Sequence, residues 1–392
     1  MNQIVKIPQA KNEPVKSYAP GDTETLNLKS KLQEMKNTPV DIPMYIGSKE
    51  IFTEEKISMH PPQEINHTLG TFNKGNASHV EAAISAALEA KESWAKMPWE
   101  SRAAIFLRAA DLLAGPYRDR MNAATMLAQS KNAMQAEIDA ACEMIDFFKF
   151  NVQYMSEIYA QQPPENSPGV WNQIEYRPLE GFVFALSPFN FTSIAANLCS
   201  APAMMGNTVV WKPAETQIYS AQVIMELYKE AGLPDGVINL VYVDGPTTGD
   251  VIFNHRDFAG IHFTGSTGVF RHIWKTIRNN IDKYRSYPRI IGETGGKDFV
   301  MVHASANINQ VNTALVRGSF EFQGQKCSAA SRAYIPQSMW TKLKPILVET
   351  TNSLKMGTTE DFSNFINAVI DQKSFDKISS YINRVNESSE AE

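Results

Sequence analysis

Gly181-Phe182-Val183-Phe184-Ala185-Leu186-Ser187-Pro188-Phe189-Asn190-Phe191 is the stretch that decides the fold. Residues 181–186 are apolar or small without alternation, and Ser187-Pro188 stops them. So short and continuous a run reads as a strand covered on both faces. A helix to residue 205 follows, then a strand over 208–211 and a helix over 219–230 ended by Gly232. The pattern repeats with a strand over 237–243, a short helix over 248–253, a strand over 260–263, a helix over 268–283 and a strand over 289–291. Strict alternation of strands and helices predicts a parallel sheet with right-handed crossovers. That is a doubly wound, nucleotide-binding layout, with its ligand crevice outside the carboxyl ends of the strands.

Upstream, the pattern is helical over 77–159. Ser78 is placed to cap a helix over 79–97, and further helices are expected over 99–113, 118–129 and 134–159. In the last of these, Ile138, Ala141, Cys142, Ile145 and Phe148 fall on one face, an apolar stripe turned to a core. Residues 161–169, with three prolines, read as a break or an extended arm. Residues 1–75 are rich in turn formers. One amphipathic helix is expected over 26–35, and two short strands meet at Gly47-Ser48, an arm lying over the body. Downstream of Gly295-Gly296 a second alternating unit begins. It has a strand over 299–302, a helix over 308–320, a strand over 331–335 and a helix over 338–354. A last helix is expected over 372–385, and 387–392 read as a polar tail.

The 392 residues suffice for about two or three domains. Hydrophobic content of 43% and charged content of 20% are ordinary for a globular protein. A net charge of −5 argues against nucleic acid as a partner. Cys142, Cys199 and Cys327 are odd in number and far apart, so they build no disulfide framework and no zinc site, and no metal is expected. No apolar run approaches the about 18 residues of a membrane span. Residues 1–20 hold three lysines, Glu13 and no arginine, a poor match to a transit peptide. The cytoplasm is the plain expectation from composition.

One loop and several strand ends carry chemistry. Phe322-Gln323-Gly324-Gln325-Lys326-Cys327-Ser328 sets a cysteine after a glycine turn, beside a lysine that could supply positive charge. A thiolate is the strongest side-chain nucleophile near neutral pH, although many cysteines are simply buried hydrophobes. Thr264-Gly265-Ser266-Thr267-Gly268 follows a strand and opens a helix, so it either cradles a phosphate or makes an ordinary turn. Lys212 and Glu215 follow another strand and suit ribose hydroxyls, or form a solvated charge pair. Asn190 either donates to a developing oxyanion or serves its turn. Glu293 is either a general base or the partner of Lys297. The dinucleotide fingerprint G-x-G-x-x-G is absent.

Taken in order, Asn190, Lys212, Gly265-Ser266, Glu293 and Cys327 resemble the aldehyde dehydrogenase superfamily. The separation of Glu293 and Cys327, 327 − 293 = 34, is similar to that family's spacing. The forms G-Q-K-C-S, S-P-F-N-F-T and F-T-G-S, with Gln135 to Ala141 running into Glu143 and Ile145-Asp146-Phe147-Phe148, narrow the resemblance. They point to the pyrroline-5-carboxylate dehydrogenase family, which oxidises glutamate γ-semialdehyde in proline breakdown.

The resemblance implies an α/β fold. It has a doubly wound NAD-binding domain over 46–159 and 175–293, an N-terminal arm over 1–45 and a partial oligomerisation arm over 160–174. An incomplete α/β catalytic domain spans 294–392. It implies NAD as cofactor, a small aldehyde as substrate and a homodimer for the full-length form. Cys327 would be the nucleophile, Asn190 an oxyanion donor and Glu293 the base for hydrolysis. Ser187, Lys212, Glu215 and the run Gly265, Ser266, Thr267, Gly268 and Val269 would line the cofactor cleft, with Glu215 favouring NAD over NADP. Glu143 would face the substrate amine, Lys326 and Ser328 its carboxylate, and Phe191 its aliphatic part. The family's E-[IE]-F-G-P motif does not occur in the 392 residues. The chain is therefore expected to lack the nicotinamide-ribose glutamate; the alternatives are a generic aldehyde dehydrogenase or an inactive nucleotide-binding remnant. A mitochondrial matrix location follows from the resemblance, with the cytoplasm as its rival.

Overall fold

The structure is a computed structural model and describes residues 6–390. The first five residues of the expected arm and the last two of the expected tail lie outside the described residues. Helix α1 (Thr23–Asn37) leads into strands β1 (Val40–Ile42), β2 (Met44–Ile46), β3 (Lys49–Ile51), β4 (Lys56–Met59) and β5 (Gly70–Asn73). Helices α2 (Ala77–Lys96), α3 (Trp99–Ala114), α4 (Arg118–Gln129) and α5 (Ala133–Ala136) follow. A π-helical turn (Glu137–Cys142) then joins α5 to α6 (Glu143–Tyr159). The alternating half comprises β6 (Phe182–Leu186), α7 (Thr192–Met204), β7 (Thr208–Lys212), α8 (Ile218–Ala231), β8 (Ile238–Leu240), α9 (Gly245–Asn254), β9 (Phe258–Thr264), α10 (Thr267–Asn279) and β10 (Arg289–Glu293). The remainder is β11 (Phe299–Met301), α11 (Ile308–Phe320), β12 (Arg332–Tyr334), α12 (Gln337–Asn352) and α13 (Gln372–Asn386).

The main sheet has the order β10-β9-β6-β7-β8-β2-β3. Its first five strands are parallel. The chain starts in the middle at β6, winds outward through β7 and β8, then crosses back to β9 and β10. The winding therefore reverses between β6 and β9, and that switch point opens the crevice at their carboxyl ends. Phe182, Phe184, Val209, Val210 and Ile261 are buried because helices cover both faces. β10 is the exception: it is an edge, and Ile291 on it is exposed.

Several expectations change. The hairpin at Gly47-Ser48 forms, but it is no free arm. β2 pairs antiparallel with β8 through Tyr45 and Leu240 and extends the main sheet. Leu28 and Leu32 of α1 are buried in the same core as β6 and β7. The cap of α2 is Asn76, whose side chain accepts from the Ser78 backbone N–H, so Ser78 lies inside the helix. Ile138 is exposed, because the π turn adds a residue to the repeat and rotates it out of the apolar stripe. Residues 160–180 carry no regular structure, and Trp171 there is 88% exposed. A second, small core joins Val302, Val311, Leu315, Met339 and Leu343 beneath the parallel pair β11 and β12.

Candidate active site

The carboxyl edge of the main sheet gathers the side chains singled out above. β6 ends at Leu186, and Ser187 turns its hydroxyl into the protein, where it accepts from Trp211 Nε1 at 3.0 Å. β7 ends on Lys212, whose ammonium is buried and reaches only the neighbouring Pro213 carbonyl, at 3.3 Å. Burial pulls this lysine below its ordinary range, and the nearby charges of Glu215 and Asp244 hold it up. A solvated pair with Glu215 is therefore not what forms, because Lys212 is buried and makes no ion pair among the described residues. A buried ammonium with donors to spare fits a polar ligand such as a ribose. β9 ends on Thr264, and Gly265 leads to Ser266, which caps α10 by accepting from the Val269 backbone N–H at 3.3 Å. Ser266, Thr267, Gly268 and Val269 all face solvent at this helix start. The free N–H groups there and the helix dipole suit a phosphate.

β10 carries Glu293 to the same edge. The Gly265 N–H donates to the Glu293 carbonyl at 3.1 Å, and Thr264 Oγ1 donates to its carboxylate at 3.4 Å. The other carboxylate oxygen accepts from Cys327 Sγ at 3.5 Å. Lys297 is not its partner among the described residues, so the structural ion pair is excluded. Burial first, and the Glu293 carboxylate second, push the Cys327 thiol up from its ordinary value. Gly296 lets the backbone pass close to the cysteine turn: a Cβ there would stand 2.7 Å from the Cys327 carbonyl oxygen and 2.5 Å from Asp298 Oδ2.

The loop before Cys327 is held in an unusual shape. Phe322 and Gln323 have φ of +50° and +55°, followed by Gly324 at +68°. Left-handed backbone costs an L-residue about 1–2 kcal/mol, so two in succession need fixing from outside. Asn190 Nδ2 donates to the Gln325 carbonyl at 2.9 Å, which orients the amide and leaves its second N–H to donate elsewhere.

Beneath the loop lies a charged floor. Lys131 is fully buried, with its ammonium 2.6 Å from Asp139 Oδ2, 4.3 Å from the Phe191 ring centroid and 4.6 Å from that of Phe322. Lys326 reaches the same Asp139 oxygen at 3.2 Å, approaches Glu321 at 3.8 Å and lies over Phe191 at 5.6 Å. The Lys326 ammonium expected beside the thiol thus pairs with two carboxylates, and the charge that acts on Cys327, after burial, is that of Glu293. Glu143, one turn beyond Asp139, accepts from Ser193 Oγ at 2.5 Å, and burial pushes its carboxyl up. Ser328 faces solvent in the turn after Cys327.

A family profile described as "Aldehyde dehydrogenase family" matches residues 51–391. The chain belongs to the aldehyde dehydrogenase family. It is 49% identical over 388 residues to the mitochondrial delta-1-pyrroline-5-carboxylate dehydrogenase of Dictyostelium discoideum, covering 98% of this chain and 70% of that relative. It is 46% identical over 392 residues to the probable delta-1-pyrroline-5-carboxylate dehydrogenase of Schizosaccharomyces pombe, covering 99% of this chain and 72% of that one. Among solved structures, the delta-pyrroline-5-carboxylate dehydrogenase of Mycobacterium tuberculosis bound with NAD superposes with a TM-score of 0.97 at 49% identity. That match covers 99% of this chain and 73% of that one. The doubly wound fold expected of an aldehyde dehydrogenase is the fold observed.

Of the predicted residues of this aldehyde dehydrogenase, the structure brings together Asn190, Glu293, Cys327, Lys326, Phe191 and Glu143 near the cysteine loop. Ser187, Lys212 and Glu215 sit at neighbouring strand ends. Lys131, Asp139, Ser193 and Gln323 escaped the sequence reading. Only Asp139 carried a signal, as an acid in the helix that also bears Glu143.

Proposed function

We propose that this aldehyde dehydrogenase oxidises L-glutamate γ-semialdehyde to L-glutamate with NAD, the aldehyde-oxidising step of proline breakdown. The observation that carries the reading is the approach of Cys327 to Glu293 across the switch-point edge. It is supported by the 49% identity to relatives named for that activity. The Cys327 thiol gives its proton to the Glu293 carboxylate it touches, which passes it to solvent, and the thiolate attacks the aldehyde carbon to form a thiohemiacetal. Asn190, its amide oriented by Gln325, donates its free N–H to the oxyanion. Bound NAD would supply the hydride acceptor, and Lys212, Glu215 and the start of α10 would hold it. Loss of hydride from the substrate carbon as the oxyanion collapses to a carbonyl leaves a thioester on Cys327. Glu293 takes a proton from water, which attacks the thioester, releasing the carboxylate and the thiolate. A carboxylate that approaches the sulfur and then serves the water needs an open position, and Glu293 is exposed.

For substrate choice, Glu143 is assigned to the amine, Phe191 to the aliphatic chain, and Lys326 with Ser328 to the carboxylate. Phe191 is buried against two ammonium groups, a setting that suits a short chain ending in charge. Turnover of glutamate γ-semialdehyde far above that of propanal supports this assignment, and equal turnover rejects it in favour of a generic aldehyde dehydrogenase. The domain division expected from the resemblance is kept except for the 1–45 arm, whose helix α1 packs into the main core, with the exposed 160–174 segment as the pairing element of a homodimer. The Dictyostelium relative's name supports a mitochondrial location.

A second reading, nucleotide binding without turnover, is favoured by the openness of the far side. Phe299, Met301 and Tyr334 on β11 and β12 are exposed, and α13 buries no residue. Calorimetric titration with NAD beside NADH formation separates the two. Binding with turnover supports the first reading, binding alone supports the second, and neither overturns both.

A further inference from the structure

We propose that the turn at 130–132 and the strap over 365–370 form a clasp that holds 322–324 left-handed and thereby sets the Cys327 thiol against Glu293, with Gln323 as the positioning residue. Gln323 is gripped at both ends of its amide. Its Nε2 donates to the Ala368 carbonyl at 2.6 Å, and its Oε1 accepts from the Asn367 backbone N–H at 3.3 Å. Two residues on, Gln325 Oε1 accepts from the Ile370 N–H at 2.9 Å. The cysteine loop thus reads the strap through two side chains, much as one strand reads another through its backbone.

The strap does not float. Asn367 Nδ2 donates to the Ser130 carbonyl at 3.2 Å, and Asn132 Nδ2 donates to the Phe365 carbonyl at 3.4 Å. Ser130 is itself left-handed, with φ of +60°. Between these two anchors Lys131 presses its ammonium on the Phe322 ring. One turn at the end of α4 therefore grips the strap twice and the cysteine loop once. Earlier in the same segment, Lys36 pairs with Glu360, and Phe362 packs edge-on against Tyr18 at 6.4 Å. The nucleophile is positioned from the nucleotide-binding half, across the chain from the α11 and β12 elements that flank it. Left-handed backbone at non-glycine residues persists only where the surroundings over-determine it, and such sites cluster where geometry matters for function.

The charged groups near the thiol are Glu293 on β10, Asp298 beyond Gly296, and Lys326 on its own loop, tied to Asp139 and Glu321. Freed from the clasp, Cys327 leaves both its burial and the Glu293 carboxylate, and its raised pKa falls. The test is the rate of iodoacetamide alkylation of Cys327 in the 392-residue chain, followed by mass spectrometry across the neutral to alkaline range. Cys142 and Cys199 are buried, and Cys327→Ser marks any background. Gln323→Leu keeps the bulk and removes both hydrogen bonds. The expected result is a midpoint moved to lower pH and alkylation at neutral pH faster by about threefold or more. An unchanged midpoint overturns the proposal, whatever the melting temperature does. Should Gln323→Leu fail to fold, Gln323→Ala decides by the same criterion, since it removes both hydrogen bonds and keeps the steric cost of the left-handed φ. The consequence for catalysis rests on Cys327 being the nucleophile. If Cys327→Ser left aldehyde oxidation intact, that reading would fall and the alkylation result would still stand.

Discussion

Asp139→Asn removes the counterion of two ammonium groups at once, one of them fully buried. Lys131 Nζ lies 2.6 Å from the carboxylate and Lys326 Nζ 3.2 Å. Removing one partner of a buried pair costs about 3–5 kcal/mol, because the other charge stays behind uncompensated. Two terms soften this. The contacts of Lys131 with Phe191 and Phe322 remain, and a desolvated cation over a ring contributes up to about 2 kcal/mol. Lys131 can also shed its proton, since burial already pulls it down. We expect a loss of about 3 kcal/mol at neutral pH, read from equilibrium urea unfolding by tryptophan fluorescence. The pH dependence has a definite sign. Asp139 holds the buried Lys131 ammonium up, so in the variant its pKa falls further below the unfolded value than in wild type, and the variant gains stability with rising pH over a window that begins earlier than in wild type. The deficit against wild type must therefore shrink on the alkaline side. Lys131→Met provides the contrast: Asp139 keeps Lys326, the thioether fills the slot between the rings, and the loss is less than about 2 kcal/mol. An Asp139→Asn deficit below about 1 kcal/mol, or one that grows with pH, refutes the account of this floor.

Three further outcomes follow from the geometry. Lys212→Met removes a buried ammonium with no carboxylate partner, so the melting temperature rises, while NAD affinity by calorimetry falls about tenfold or more with the loss of a charged donor. Glu215→Gln lowers the NAD-to-NADP preference by about tenfold, read from the ratio of dissociation constants, because a like charge facing a 2′-phosphate is gone. Gly296→Ala drives a methyl group to 2.7 Å from the Cys327 carbonyl oxygen. The Asp298 carboxylate can swing aside, but the backbone must move, and NADH formation falls by tenfold or more on the order-of-magnitude cost of a misplaced nucleophile.

The parts of the molecule that repeat were legible in the sequence. A buried parallel strand such as β6 is an unbroken apolar run, and the turn that ends each strand displays its polar residues in sequence order. Asn190, Lys212, Gly265 and Glu293 could be found for that reason, and topology brings these strand ends to one edge; Cys327, in the loop between α11 and β12, stood out through the resemblance of its motif instead. The parts that rest on single contacts were not legible. Ser130-Lys131-Asn132 falls between two expected helices with no pattern of its own, yet Lys131 is fully buried, because its partners lie eight residues on at Asp139 and far away at Phe191 and Phe322. The strap over 365–370 shows no period, since only Phe365 and Ile366 pair by backbone, with Lys355 and Gly357, and the bonds that grip the cysteine loop come from the Gln323 and Gln325 side chains. The π turn hides for a related reason. One inserted residue shifts the helical repeat, and Ile138 appears on the core side of a wheel that the chain does not follow. Lys326 misled because it adjoins Cys327 in sequence, while its ammonium turns to Asp139 and Glu321.

The most direct test of the central claim is NADH formation from glutamate γ-semialdehyde and NAD, followed by absorbance in wild type and in Cys327→Ser. The account predicts NADH in the first and none in the second, with cofactor binding unchanged between them. NADH formation by Cys327→Ser at a rate near that of wild type would contradict it.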